Sequence, residues 1–413
     1  MGAIFEDGRL GARNLHLFFE FLISSGAERH RPSIFDIRKL ANFEFSVEIE
    51  PVKICFADTE SEEEEFFRAQ LGAEHELVFV AGLDETPADA EILSVFIQSP
   101  VTAEYLQGHP ALRLVVTRSA GYDHIALAEA GARKVTVCNV PTYGENTVAE
   151  HSFALLLALS RRLRESLAAY KSPHHFSYQA LRGFDLKGKT FGIVGTGRIG
   201  LHAARIARGF QMEVLAYDVK TQPLVAATLD FEYIGFEELL RRADVVSLYI
   251  PLRPETRHII NRDTLAACKR GVILINTARG GLVDTDALIE GLESGQVGGA
   301  GLDVLEDERA LQQDSARIIT GEIVSHIQQS ATPESVPDYG EPLVRRERVE
   351  ELRNLVRNSR LTERMDVIFT PHAAFNSREA VARINEETVR NIRRFLAGRA
   401  VNLVRREGAA ALA

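Results

Sequence analysis

FGIVGTGRIG, Phe191 to Gly200, is the stretch whose reading decides the fold. FGIV reads as a buried strand, and Gly195, Gly197 and Gly200 follow it at G-x-G-x-x-G spacing, directly before the helical pattern LHAARIARGF. In that setting Gly195 permits a tight turn, Gly197 lets the main chain approach a pyrophosphate, and Gly200 lets helix and strand pack closely. The N–H groups that open the helix supply the positive pole. The next strand, EVLAYD, ends in Asp218, eighteen positions beyond Gly200, where a carboxylate accepts both hydrogen bonds of an adenosine ribose. Strand, glycine loop, helix and acid together predict a dinucleotide site. A carboxylate at 218 repels a 2′-phosphate, so NAD is expected rather than NADP, with Lys220 acting in the opposite sense.

Outward from this loop the pattern repeats. VLAYD, DVVSLYI, GVILINTA and GGAGLDV alternate with the helical stretches around FEELLRRA, NRDTLAAC and TDALIEGLESG. Upstream, VKICFAD, ELVFVAG, ILSVFIQSP, LRLVVTRSAG and VTVCNVP form an earlier series, with a helix opening at SEEEEFFRAQLG, whose acidic first turn opposes the helix dipole. Near-continuous apolar strands separated by helices belong to parallel sheets covered on both faces. Two doubly wound α/β units are therefore expected. A long apolar helix is read from Val148 to Leu163 and a final amphipathic one from SREAVARINEE onward. GVILINTARGG raises a separate question, because a permanently charged Arg279 stands at the mouth of an apolar strand.

Composition bounds the function. A chain of 413 residues with 45% hydrophobic content can bury at least two cores. A net charge of −10, without a basic block, argues against a nucleic-acid partner. Cys55, Cys138 and Cys268 lie far apart with no C-x-x-C pair, so no disulfide framework or zinc site is indicated and a cytoplasmic setting is expected. The apolar segment Leu15 to Ile23 is too short to span a bilayer, carries Glu20 and has neither a basic leader nor a cleavage site; no targeting or membrane segment is read.

At VTRSAGYDHIAL, NVPTYGENTVAEHSFALLLALSR, GKTFGIVGTGRIG, PLRPETRHII, INTARGGLVDTDALIEGLESGQVGGAGLDVLEDE and FTPHAAFNSREA, in that order, residues 51 to 400 resemble the D-isomer-specific 2-hydroxy acid dehydrogenases, most of all the D-lactate dehydrogenase branch. The resemblance implies a flavodoxin-like substrate domain, residues 51–145 and 372–413, interrupted by a Rossmann NAD-binding domain, residues 146–371. It also implies a homodimer with the helix from Val148 at the two-fold contact. Arg279 then matches the family's substrate-binding catalytic arginine and His372 of TPHAAF its catalytic histidine. Glu308, twenty-nine positions after Arg279, matches that histidine's acidic partner. Ser119, Ala120 and Gly121 match the turn whose N–H groups hold the substrate carboxylate. Arg198 and Ile199 fall in the pyrophosphate loop, Ile250 and Pro251 at the adenine side, Thr256, Thr277 and Ala278 toward the nicotinamide, and Asp303 at its carboxamide. Phe375 stands where the glycerate, phosphoglycerate and formate branches carry a small residue, and it resembles, with Tyr143, the aromatic substrate wall of D-lactate dehydrogenases.

The residue types suit the chemistry. Oxidising a 2-hydroxy acid moves hydride from C2 to the nicotinamide while a base takes the hydroxyl proton, and histidine gives or takes a proton near neutral pH. A carboxylate on the other ring nitrogen fixes the tautomer and favours the protonated ring. Arginine presents a planar fork that grips a carboxylate, which lysine does not match. The expected reaction is the NAD-dependent interconversion of a small D-2-hydroxy acid and its 2-keto acid, with D-lactate and pyruvate first. The alternatives are a glyoxylate- or glycerate-type dehydrogenase, or an NAD(H)-sensing scaffold like the C-terminal-binding corepressors, which share this fold. Residues 1–50 have no counterpart in the typical family member, the interval 309–365 is longer than usual, and Arg309 replaces a common proline.

Overall fold

The computed structural model describes residues 51–171, 177–306, 354 and 356–404. The extension 1–50, Glu308 and most of the 309–365 interval lie outside the described residues. The chain divides into two compact units: a smaller one ending at Pro141 and resuming at Asn385, and a larger one, Thr142–Ile384, inserted in it.

The smaller unit holds β1 (Lys53–Ala57), β2 (Glu76–Val80), β3 (Ile92–Val95), β4 (Leu114–Thr117) and β5 (Thr136–Cys138) in the order β2-β1-β3-β4-β5. Every pairing within this sheet is parallel, and this is the flavodoxin-like order. β3 and β4 are buried along their whole length, as expected of strands covered on both faces. One face packs Leu106, Ile125 and Ala130, and the other Phe67, Leu71, Val389 and Ile392. Arg118, just past β4, is 1% exposed. Its guanidinium donates to the carbonyls of Ala57 (2.8 Å), Asp58 and Ser94 (3.3 Å), satisfying free acceptors where β1 and β3 end.

The larger unit holds β6 (Thr190–Val194), β7 (Glu213–Tyr217), β8 (Glu232–Tyr233), β9 (Val245–Leu248), β10 (Val272–Asn276), β11 (Val297–Leu302) and β12 (Val367–Phe369), ordered β12-β11-β10-β9-β6-β7-β8. All these pairings are parallel too, and the order reverses at β6/β9, the switch point of a Rossmann sheet. β6, β9 and β10 are wholly buried between two cores.

The helix read from Val148 to Leu163 instead spans Glu145–Ser160, and a second helix runs Leu163–Lys171. Distant chain causes the break. The N–H of Phe184 donates to the Ser160 carbonyl at 2.9 Å, which closes the first helix, and Arg162 turns left-handed (φ 48°). Phe153, Leu155 and Leu156 of the first helix are buried within their own unit beside Phe191, Ile193 and Ile275. Replacing the fully buried Leu156 by Asp strands a charge among apolar groups and is expected to cost more than about 3 kcal/mol. An unchanged urea-unfolding midpoint would show that this face is not buried.

Candidate active site

The glycine loop fits a dinucleotide. Gly195 has φ +102°, and a Cβ there would lie 2.7 Å from Ile250 Cγ2 and 2.9 Å from the Tyr249 carbonyl carbon, so the two loops of the switch point touch. A Cβ on Gly200 would fall 2.0 Å from the Gly195 carbonyl oxygen, which sets the helix Arg198–Gly209 directly on the turn. Before Gly197, by contrast, a Cβ would meet nothing within 4 Å, leaving the main chain open to a pyrophosphate. Arg198 points an exposed side chain toward Glu145 (3.9 Å), while Ile199 packs against the core. Ile250 is half-buried, Pro251 is exposed, and the Thr256 hydroxyl closes its own turn by donating to the Pro251 carbonyl at 2.8 Å.

At the end of β7, Asp218 accepts from the Thr196 amide (2.6 Å), the Thr196 hydroxyl (3.0 Å) and the Lys220 amide (2.9 Å). Burial pushes this carboxyl up, but the bonds from Lys220 and Thr196 outweigh it and hold the group below the ordinary carboxylate value. The side chain is thus a fixed negative charge. Tyr233 OH lies 2.8 Å from the Thr196 hydroxyl; since that hydroxyl gives its hydrogen to Asp218, the tyrosine is its donor.

Beyond β10, the buried Asn276 shapes the loop that carries Arg279. Its Oδ1 accepts from the Ala278 amide (3.1 Å) and its Nδ2 donates to the Arg279 carbonyl (2.9 Å). Arg279 is half-buried in extended backbone, with Nη1 donating to the Ala278 carbonyl at 2.7 Å. Thr277 is buried, and its hydroxyl has no hydrogen-bond partner among the described residues, as suits a group that meets a ligand. The glycine after Arg279 answers to a close approach: a Cβ on Gly280 would sit 2.0 Å from the Leu305 carbonyl carbon and oxygen. The arginine loop therefore lies main chain to main chain against the segment that leads toward Glu308.

His372 is half-buried and left-handed (φ 53°). Its amide donates to the Asp303 carbonyl at 2.8 Å, and the next two amides, of Ala373 and Ala374, donate to the Asp303 carboxylate at 2.8 and 2.9 Å. Thr370 Oγ1 adds a third bond to that carboxylate at 2.6 Å. Asp303 is 1% exposed; burial raises its pKa, and the bonds from Thr370, Ala374 and Ala373 only partly offset it. Expected at the carboxamide, Asp303 is thus also the anchor of the His372 loop. Phe375, three residues on, is half-buried, as is Tyr143, whose carbonyl accepts from Arg383 Nε at 2.6 Å.

Sequence reasoning passed over Glu306. Its carboxylate pairs with Arg257 and lies 2.9 Å from His258 Nε2, and its carbonyl accepts from Asn358 at 2.8 Å. This fixes the main chain two residues before Glu308. In the smaller unit, the carbonyls of Ser119, Ala120 and Gly121 are taken by the Val140 amide (3.0 Å), Asn139 Nδ2 (2.8 Å) and Ser119 Oγ (2.6 Å). These bonds hold the turn in one conformation.

Gly280→Ala forces two main chains apart and is expected to destabilise the protein by about 1–3 kcal/mol. A thermal melt superimposable on wild type would show that the contact with Leu305 is absent.

Comparison with known proteins agrees with this geometry. Residues 153–374 match the family model described as D-isomer specific 2-hydroxyacid dehydrogenase, NAD binding domain. The D-3-phosphoglycerate dehydrogenase of Mycobacterium leprae is 43% identical over 246 residues, 58% of this chain, which spans 46% of that protein. A glyoxylate reductase of Thermococcus litoralis is 36% identical over 278 residues, 66% of this chain and 84% of that one. The D-lactate dehydrogenase of Aquifex aeolicus, solved with NAD and lactic acid, superposes with a TM-score of 0.67 at 31% identity, covering 84% of this chain and 96% of that one. A glycine loop open at Gly197, a fixed charge at Asp218 and a family match over the larger unit lead to one conclusion: the chain belongs to the D-isomer-specific 2-hydroxyacid dehydrogenases, with NAD as its cofactor.

Proposed function

We propose that the chain interconverts D-lactate, or a slightly larger D-2-hydroxy acid, with its 2-keto acid. What carries this reading is the loop Thr370 to Phe375, which sets His372 in a held left-handed conformation and follows it with a half-buried aromatic. Phe375 suits a small apolar substrate side chain and leaves less room for the second polar group of a glycerate or phosphoglycerate. The likeness to a D-lactate dehydrogenase solved with lactic acid supports the same choice.

In this reading NAD, held by the Gly195–Gly200 loop and Asp218, supplies the hydride chemistry at C2. His372 takes the hydroxyl proton in oxidation and returns it in reduction. Glu308 is the acid that tunes His372. Arg279 grips the substrate carboxylate with its planar fork and stabilises charge developing on the neighbouring oxygen. Ser119, Ala120 and Gly121 are the substrate-carboxylate candidates of the smaller unit. The protein acts as a homodimer, and the exposed Leu163, Leu167 and Tyr170 of the helix Leu163–Lys171 are apolar surface available for that contact.

Purified protein is expected to oxidise NADH fastest with pyruvate or 2-ketobutyrate in a panel that includes glyoxylate and hydroxypyruvate. A glyoxylate optimum would sink the D-lactate assignment, and turnover of no 2-keto acid would sink the reaction itself. His372→Asn should lower kcat by about 10²–10⁴-fold while NADH binding, read by nucleotide fluorescence, persists. Asp218→Ala removes the charge that repels a 2′-phosphate, so the preference for NADH over NADPH should shrink by about tenfold or more. An unaltered cofactor ratio would place that selectivity elsewhere.

A further inference from the structure

His151 lies on the helix Glu145–Ser160, 219 residues before Thr370, and its Nε2 is 2.9 Å from Thr370 Oγ1. Thr370 Oγ1 is 2.6 Å from Asp303 Oδ1, and His151 Nε2 is itself 3.5 Å from that oxygen. A threonine hydroxyl has one hydrogen to give. Given to the carboxylate, it leaves the Thr370 oxygen as acceptor, so His151 Nε2 carries a hydrogen and donates. The chain of bonds then runs from His151 through Thr370 to Asp303 Oδ1, which also receives the Ala373 amide, while Oδ2 receives the Ala374 amide. Between the partners Thr370 and Ala373 lie Pro371 and His372, the latter in a left-handed conformation that costs a side-chain-bearing residue about 1 kcal/mol or more and persists only where its surroundings impose it.

We propose that His151 and Thr370 are positioning residues for His372, acting through the Asp303 carboxylate to fix the main chain from which the histidine ring projects. The proposal rests on the reading of His372 as the proton-transfer group. Turning the carboxylate about its Cβ–Cγ bond would exchange its two oxygens between Ala373 and Ala374. The Thr370 hydroxyl, itself locked by His151, opposes that turn. Loss of the lock leaves the cofactor loop and Arg279 untouched, because they are held by Gly195, Gly200 and Asn276 instead.

Thr370→Val keeps the side-chain shape and removes the hydroxyl; His151→Leu removes the donor, and Thr370→Ser restores the hydroxyl. In both loss variants kcat should fall by up to about 100-fold, with KM for the 2-keto acid little changed, the signature of an interaction used in the chemical step. Thr370→Ser should recover most of the lost kcat. The chemical shift of the His372 ring Cε1–H, assigned by its disappearance in His372→Asn, should move in both loss variants and return in Thr370→Ser. Wild-type kcat in both loss variants, beside an inactive His372→Asn, would overturn the positioning role and leave the proton-transfer reading standing. An active His372→Asn would overturn that reading and the proposal with it. An unmoved His372 resonance in the loss variants would overturn the structural tie whatever the turnover.

Discussion

A single buried aspartate, through its amide and its carboxylate, ties together the ends of three neighbouring strands. Asp303 follows β11; its amide donates to the Asn276 carbonyl at the end of β10, and its side chain receives Thr370 and the amides beyond β12. Burying a carboxylate is expensive unless its lone pairs are met, and here the Thr370 hydroxyl and two main-chain amides meet part of that cost. The result is a fixed main chain where the candidate catalytic side chains are attached. Arg279 leaves from the loop after β10 and His372 from the loop after β12, so one residue indexes both against the same sheet.

The smaller unit solves a related problem with the opposite sign. Parallel strands end with carbonyl groups that no neighbour claims, and Arg118 fills that need with a buried guanidinium bonded to the carbonyls of Ala57, Asp58 and Ser94. Such a cation stays charged because arginine rarely gives up its proton, even though burial lowers its pKa. Next to it in sequence, the turn Ser119–Gly121 has its carbonyls engaged by Val140, Asn139 and Ser119 Oγ. The strand ends and the turn that follows them are thus held by separate sets of donors.

Much of this was legible in the sequence, and the reason is locality. Runs such as VILIN and LVVT announce strands buried on both faces, and Gly195, Gly197, Gly200 and Asp218 span one strand–helix–strand unit whose spacing geometry imposes. Arg279 and His372 stood out because short motifs surround them. What escaped was carried by pairs distant along the chain. Ser160 ends its helix because Phe184 reaches back to its carbonyl, and nothing near Ser160 signals this. Gly280 reads as freedom to turn, whereas its role is to let the Leu305 main chain come close. Asp303 reads as a ligand contact, and its engagement with Thr370, Ala373 and Ala374 appears only once β11 and β12 are side by side. Glu306, two residues from the acid the motif singles out, was hidden by that neighbour.

The reversal of strand order at β6/β9 has a consequence for how such a protein can change. Asp218 and its partners Thr196 and Tyr233 belong to the β6-β7-β8 side of the sheet, while Arg279, Asp303 and His372 belong to the β10-β11-β12 side. Asp218 is held by Thr196 and the Lys220 amide on its own side of the sheet, and the His372 loop by Asp303 on the other. A substitution in one of these supports can therefore leave the other in place, so the two halves of the sheet can drift separately on one scaffold.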